Sequence, residues 1–319
     1  MNPDLLSKRL LVVTGKGGVG KSTITAGLAL LAAEQGRTVL VVEVDAKGNL
    51  TDFFEHGPVG FEPQEVHPGV HVLTMDTEAS LREYLKLHLR VPMMGRIGPV
   101  ARAFDFVATA APGVKEILTV GKICYEVREA IEGNAPWDLV IVDAAATGHI
   151  VAQLGAADTL RDVVSVGLIR NQTEWMMDLL ADPDVTALNI VCTPEEMPVS
   201  ETLELVGRVR EELSVPLGGV ILNRVLPELF TRDEEAVFEA LREPGAAEQL
   251  AARVGAGAPA VLEGARLAVT LRRTRAAHLQ RLRDSTDLPL MYLPYLFTRS
   301  HGMRVTRMIA ESLGEEMGL

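Results

Sequence analysis

The sequence predicts an α/β fold, a mostly parallel β-sheet flanked by helices with an inserted helical subdomain. Three observations carry that expectation. Short apolar runs of strand length alternate with longer stretches of helical periodicity, the pattern of a parallel sheet with crossover helices. Most of these runs are rich in Val, Ile and Leu without alternation, which places both faces in the core. The first run leads directly into Gly15-Lys16-Gly17-Gly18-Val19-Gly20-Lys21-Ser22, a complete G-x-x-x-x-G-K-[ST] phosphate loop in the strand–loop–helix setting that the motif requires.

In chain order, strands are expected at Leu10–Thr14, Val39–Val44, Val70–Met75, Leu139–Asp143, Ala187–Cys192, Gly219–Asn223 and Leu290–Leu293. A helix-compatible stretch from Ser22 to Gln35 follows the glycine loop. Glu55–Gly69, with Gly57-Pro58, Gly60, Pro63 and Pro68-Gly69, reads as an irregular connection. Thr77 to Gly133 is helical in pattern and too long for a simple crossover. Pro92, Gly95, Gly98-Pro99 and Pro112-Gly113 punctuate it into about three helices. Ile150 to Leu180 is a second helical stretch. The expectation is one P-loop NTPase domain over residues 1–319, its helical subdomain built from insertions at about 77–133 and 150–184. Helical segments at Arg232–Arg253 and Pro259–Arg283, a final strand and a helix from His301 complete the chain.

Composition narrows the function classes. The 319 residues are 47% hydrophobic, enough for a large core. Lys and Arg number 31 against 43 Asp and Glu, a net charge of −12, which argues against sequence-independent nucleic-acid binding. Cys124 and Cys192 are too few for a disulfide framework or a Cys-rich metal site and read as buried thiols. Met1 to Arg9 lacks the apolar core of a signal peptide. No run reaches the ~18 apolar residues of a membrane span, so a cytoplasmic protein is expected.

The glycines let the loop backbone turn its N–H groups toward an anion, and the following helix N-terminus adds positive potential. Lys21 is suited to the β- and γ-phosphates, and the Ser22 hydroxyl to Mg²⁺. Trp137-Asp138-Leu139-Val140-Ile141-Val142-Asp143 has the shape of a Walker B strand. Its Asp143 would hold Mg²⁺ through water, a helix cap being the plain alternative. The segment Ala144–His149 is small and flexible, as a γ-phosphate sensor should be. Glu43 and Asp45 end the second strand at the edge where ligands of open α/β sheets bind. Asp45 is assigned the base or water-orienting role, with Glu43 nearer the magnesium shell; the candidate metal set is Ser22, Asp45 and Asp143. Lys16 is a second cation in a loop that already has Lys21. Charge on a transferred phosphoryl group can be neutralised by a cation from another subunit, and Lys16 suits that role if two chains meet across their nucleotides. A solvated surface lysine is the alternative.

The stretch Gly15–Thr23 resembles the deviant Walker A of the family that includes arsenite-pump ATPases, tail-anchored-protein targeting ATPases and MinD/ParA partitioning ATPases. Asp143-Ala144-Ala145-Ala146-Thr147-Gly148-His149 resembles the D-T-A-P-T-G-H second switch of the arsenite-pump and tail-anchor branch. Met75–Leu85, Thr193–Val199 and Leu222–Val225 resemble further segments of that branch. The resemblance spans about residues 10–225. It implies an ATP- and Mg²⁺-dependent homodimer with Gly15, Gly17, Gly18, Val19, Gly20, Lys21, Ser22 and Thr23 around the nucleotide. Lys16 would reach across the dimer, Asp45 would activate water, Asn223 would contact adenine, and Pro294 with its neighbours would close the base pocket.

The departures from the pattern also matter. Asp45-Ala46-Lys47-Gly48-Asn49-Leu50 is closer to the D-P-Q-G-N of ParA proteins than to the branch's D-P-A-H-S. No C-x-x-C is present to clamp a dimer with zinc, and two distant cysteines cannot supply three thiolates for a metalloid. Trp175-Met176-Met177, Leu179-Leu180, Met93-Met94, Ile97, Phe104 and Phe106 are candidates for an apolar client groove, although ordinary subdomain core is the better reading. The leading expectation is an ATPase whose helical subdomain handles a protein client or membrane partner. A ParA/MinD-like spatial organiser and a chaperone for membrane helices are the alternatives. An electron carrier of the nitrogenase-reductase type lacks cluster-ligating cysteines.

Overall fold

The computed structural model of the chain describes residues 5–45, 50–89, 113–156, 168–228, 231–241, 243, 245–255 and 257–319. Its eight strands form one sheet in the order β3-β4-β2-β5-β1-β6-β7-β8. These are β1 (Leu10–Gly15), β2 (Val39–Glu43), β3 (Gln64–His67), β4 (Val70–Thr74), β5 (Leu139–Ala146), β6 (Thr186–Cys192), β7 (Leu217–Val225) and β8 (Leu290–Pro294). Among the described residues only the β3–β4 pair is antiparallel. Each of the seven apolar runs recognised in the sequence is a strand, with ends displaced by no more than a few residues.

Adjacent residues of one strand feed opposite cores, because successive side chains in a strand point to opposite faces. Leu11, Val13, Val41 and Ile141 pack with the buried side of α1 (Lys21–Glu34). Leu10, Val12, Val42 and Val142 pack on the other face with α3 (Val114–Ile131), α4 (Thr147–Leu154), α5 (Leu168–Ala181) and α6 (Glu196–Glu212). Both faces of β1 are thus closed, which explains its unbroken Leu10-Leu11-Val12-Val13 run. A third cluster joins Val199 of α6 and Leu282 of α9 (Ala258–Ser285) to Cys192, Val220 and Leu222. The last helix, α10 (Met303–Met317), buries Ile309, Ala310, Leu313 and Met317 in the α1 core.

Three expectations need correction. The stretch Glu55–Gly69 contains β3, which pairs with β4 across a Pro68-Gly69 turn, Gly69 taking φ 77. This edge strand shows only Val66 buried, so it carries no apolar run to betray it. Arg232–Arg253 is not continuous. It divides into α7 (Arg232–Ala240) and α8 (Ala246–Val254), with Gly245 in the left-handed region at the N-cap of α8. The Ala144–Ala146 part of the supposed flexible segment extends β5, where Ala146 pairs with Gly15, and Thr147–His149 opens α4.

Within the helical insertions, α2 (Thr77–Leu89) packs on α3, and α3 packs on α4, α5 and β5. Residues 90–112 and 157–167 lie outside the described residues, and with them Met93, Met94, Ile97, Phe104 and Phe106. On α5, Met176 and Leu180 are buried, with Trp175, Met177 and Leu179 packed beside them, as ordinary core predicts. An ion network ties these helices to the sheet. The Lys122 ammonium lies 2.8 Å from both Glu83 and Glu126, and Trp137 Nε1 donates to Glu126 at 2.9 Å. The attraction of these carboxylates outweighs burial and raises the pKa of Lys122. Lys122→Ala removes the countercharge of Glu126, which keeps its Trp137 hydrogen bond but is only 10% exposed. A loss of about 3 kcal/mol in unfolding free energy by urea titration is expected, because an uncompensated buried charge costs that much.

Candidate functional site

The phosphate loop rises from the central strand. Gly15 ends β1 at φ 151, and a Cβ there would lie 2.2 Å from the Val191 carbonyl oxygen of β6. At the other end, Gly20 caps α1 in the left-handed region (φ 98). A Cβ on Gly20 would lie 2.4 Å from Asn223 Nδ2 of β7. That amide donates to the Val19 carbonyl at 2.8 Å, and its oxygen accepts from Arg224 N–H. The loop is therefore pressed against two neighbouring strands on one side. On the other side, a Cβ at Gly17 or Gly18 meets nothing within 4 Å. The resulting cradle is open where phosphate oxygens would sit, at the N-terminus of a 14-residue helix.

The acids lie at the same edge. Asp143 is paired in register with Val13 of β1 and Glu43 of β2. Ser22 Oγ donates to Asp143 Oδ2 at 2.6 Å. The other oxygen, Oδ1, is buried without a hydrogen-bond partner. Burial pushes the Asp143 carboxyl up to about 6, opposed by the Ser22 hydrogen bond and Lys21 and reinforced by Glu43 and Asp45. Glu43 is 3% exposed and accepts from Thr74 Oγ1 at 3.1 Å. Asp45, one residue beyond buried Val44, is exposed. The fold thus gathers Ser22, Lys21, Glu43, Asp45 and Asp143. Among the described residues no cluster of three or more His, Cys, Asp or Glu forms a cage of its own. An orphaned carboxylate oxygen beside a serine hydroxyl fits Mg²⁺, which takes few protein oxygens and completes its shell with water and substrate phosphates.

Asn223 and Pro294 sit on the adjoining strands β7 and β8, where Val225 pairs with Pro294. Pro294 is exposed, followed by exposed Tyr295 and Phe297, whose rings lie 4.8 Å apart. Asn223, expected at adenine, is buried and hydrogen-bonded to the phosphate loop. Residues 46–49, the middle of the first-switch string, lie outside the described residues. Cys124 and Cys192 are buried in separate cores, with burial pushing their thiols up to about 12 and about 11.

Sequence reasoning missed Glu201. This α6 residue accepts hydrogen bonds from Lys16 Nζ and, at 2.9 Å, from Thr147 Oγ1. Those hydrogen bonds, led by that of Lys16, lower its pKa. A cavity of about 280 Å³ opens beside the cluster, lined by Thr147, Gly148, Glu201, Glu204, Leu205 and Arg208. No local motif marks Glu201, because its partners lie 185 and 54 residues away.

Known proteins place this arrangement in context. The family model of anion-transporting ATPases matches residues 8–178 and 165–244. The ATPase BagA of Mycobacterium tuberculosis is 36% identical over 225 residues, 69% of this chain and 66% of the relative. The chain thus spans just under two thirds of that relative's length. An arsenical pump-driving ATPase of Acidiphilium multivorum is 28% identical over 241 residues, 68% of this chain and 40% of the relative. The ATPase ASNA1 homolog of Entamoeba dispar is 26% identical over 254 residues, 67% of this chain and 76% of the relative.

Proposed function

The chain belongs to the anion-transporting ATPase family, and from that premise we propose that it is a Mg²⁺-dependent ATPase. It works as a homodimer and couples its nucleotide state to the helical insertions around α2–α5. The observation that carries the reading is the Ser22–Asp143 hydrogen bond, with its orphaned Oδ1, beside the open glycine cradle. The names of the relatives support ATP as the substrate.

The backbone N–H groups of Gly17 to Lys21 bind the phosphates, and Lys21 neutralises their charge. Ser22, Asp143 and Asp45 are the residues that would hold Mg²⁺, Asp143 through water. When bound, the cation offsets negative charge on the β- and γ-phosphate oxygens. Asp45, exposed at the strand edge, orients the attacking water and accepts its proton. The water oxygen bonds to the γ-phosphorus, the bond to the β,γ-bridging oxygen breaks, and ADP and phosphate leave. Lys16 of a second copy meets the charge that develops in the transition state. Asn223 braces the loop from the adenine side.

A client or partner would be read by the helices that follow the second switch, as expected for a relative of the ASNA1 homolog. No described helix is long and apolar enough to cross a membrane. The apolar face of α10 is taken up by the α1 core, so this helix does not offer it to a membrane. Two buried thiols fit a reducing, cytoplasmic setting.

Asp45→Asn tests the assignment. It is expected to lower turnover about 100- to 1,000-fold, the size of a lost base, while calorimetric affinity for ATP without magnesium stays within a few-fold of the parent. Turnover unchanged in this variant removes Asp45 from the chemistry. The absence of heat on mixing the parent protein with magnesium and ATP overturns the ATPase reading itself.

A further inference from the structure

Lys16 belongs to the phosphate loop, yet its ammonium is engaged elsewhere. It is bound by Glu201, and the same carboxylate receives the hydroxyl of Thr147, the first residue of α4 after β5. One side chain thus holds two segments that flank the phosphate cradle from different strands.

The three residues are mounted differently. Glu201 sits on α6, a 17-residue helix whose Val199, Leu205, Val206 and Val209 are buried. It is presented from a firm support. Lys16 and Thr147 sit on the turn after β1 and at the start of α4 just after β5, where a nucleotide would draw them. The Lys16 and Glu201 side chains retain 32% and 28% of their exposure. A half-solvated pair is weak and exchangeable, which suits a holding contact rather than a lock. A cavity of about 280 Å³ lined by Thr147 and Glu201 adjoins the contact, so the carboxylate is not packed in on every side.

We propose that Glu201 is a positioning residue that keeps Lys16 on its own subunit, so that forming the nucleotide-bridged dimer must break the Lys16–Glu201 contact in both copies. This rests on the reading that Lys16 serves the nucleotide of a second copy. The held and released arrangements form a two-state equilibrium, and removing the carboxylate charge shifts it toward release. Thr147 makes the release responsive to the second switch, because the hydroxyl leaves the same carboxylate when β5 and α4 adjust to a γ-phosphate.

Sedimentation velocity of the full chain with magnesium and a non-hydrolysable ATP analogue reads this equilibrium directly. Glu201→Gln is expected to form dimer at about fivefold lower protein concentration than the parent, since two weak pairs no longer have to break. Glu201→Asp should fall nearer the parent. In a Lys16→Ala background the Glu201→Gln shift should vanish, because a double-mutant cycle isolates the coupling between the two side chains. Thermal unfolding of each variant confirms that it is folded. A parent that dimerises while Glu201→Gln stays within twofold of it overturns this proposal and leaves the intersubunit reading intact. A shift that persists undiminished without Lys16 also overturns it. If the parent forms no dimer with the analogue, the intersubunit reading falls and this proposal falls with it.

Discussion

Lys16→Ala is expected to lower ATP turnover about a thousandfold or more while calorimetric affinity for MgATP stays within a few-fold. A cation supplied in trans to a transferring phosphoryl group contributes effects of that size. Lys21, in the same loop, remains to hold the ground-state phosphates. The side chain of Lys16 is 32% exposed and its partner Glu201 keeps the Thr147 hydroxyl. Its removal therefore leaves no unsatisfied buried charge, and a fall in activity cannot be traced to unfolding. Mixing Lys16→Ala with an Asp45→Asn chain sharpens the result. The mixed dimer pairs one intact water-orienting site with the lysine it needs, so part of the activity should return. Unchanged turnover in Lys16→Ala alone would deny the lysine any part in the reaction.

The second large effect is structural. Gly15→Ala places a methyl group 2.2 Å from the Val191 carbonyl oxygen and 3.1 Å from Val19 Cγ2, at a φ of 151 that L residues avoid. The obstacle is sheet backbone rather than a flexible side chain, so it cannot yield cheaply. A loss of about 3 kcal/mol is expected from overpacking and strain combined, with a thermal midpoint lower by on the order of 6 °C. Gly17→Ala is the internal comparison. Its Cβ meets nothing within 4 Å, so stability should hold while the methyl group intrudes on the phosphate side and weakens MgATP binding. Equal melting temperatures for the two variants would contradict the close approach of β1 to β6.

Much of the molecule was legible in the residues because burial on both faces writes a continuous signal. Leu10-Leu11-Val12-Val13 and Leu139–Val142 could hardly be anything but central strands. The glycine loop was legible for a different reason, since its chemistry is confined to a short contiguous string. The parts that escaped share a dependence on distant partners. Strand β3 is polar at three of its four residues and exists because β4 offers it a hydrogen-bonding edge. Ala146 is extended because Gly15 pairs with it from across the sheet. The break between α7 and α8 was announced by Glu243-Pro244-Gly245, and the capping box of Thr231 with Glu234 announced the start of α7. The expected start at Arg232 agrees with that capping box, whereas helical periodicity on both sides conceals the turn signal between α7 and α8. Glu201 had no local sign at all, being one glutamate among many until folding brings Lys16 and Thr147 to it.

The placement of β1 has a final consequence. It is hydrogen-bonded along its length to β5 on one side and β6 on the other, while polar β3 and the β8 strand take the margins. Fraying that starts at the rim therefore reaches the glycine loop after β1 last. The loop that the proposed chemistry depends on is anchored where local melting is hardest.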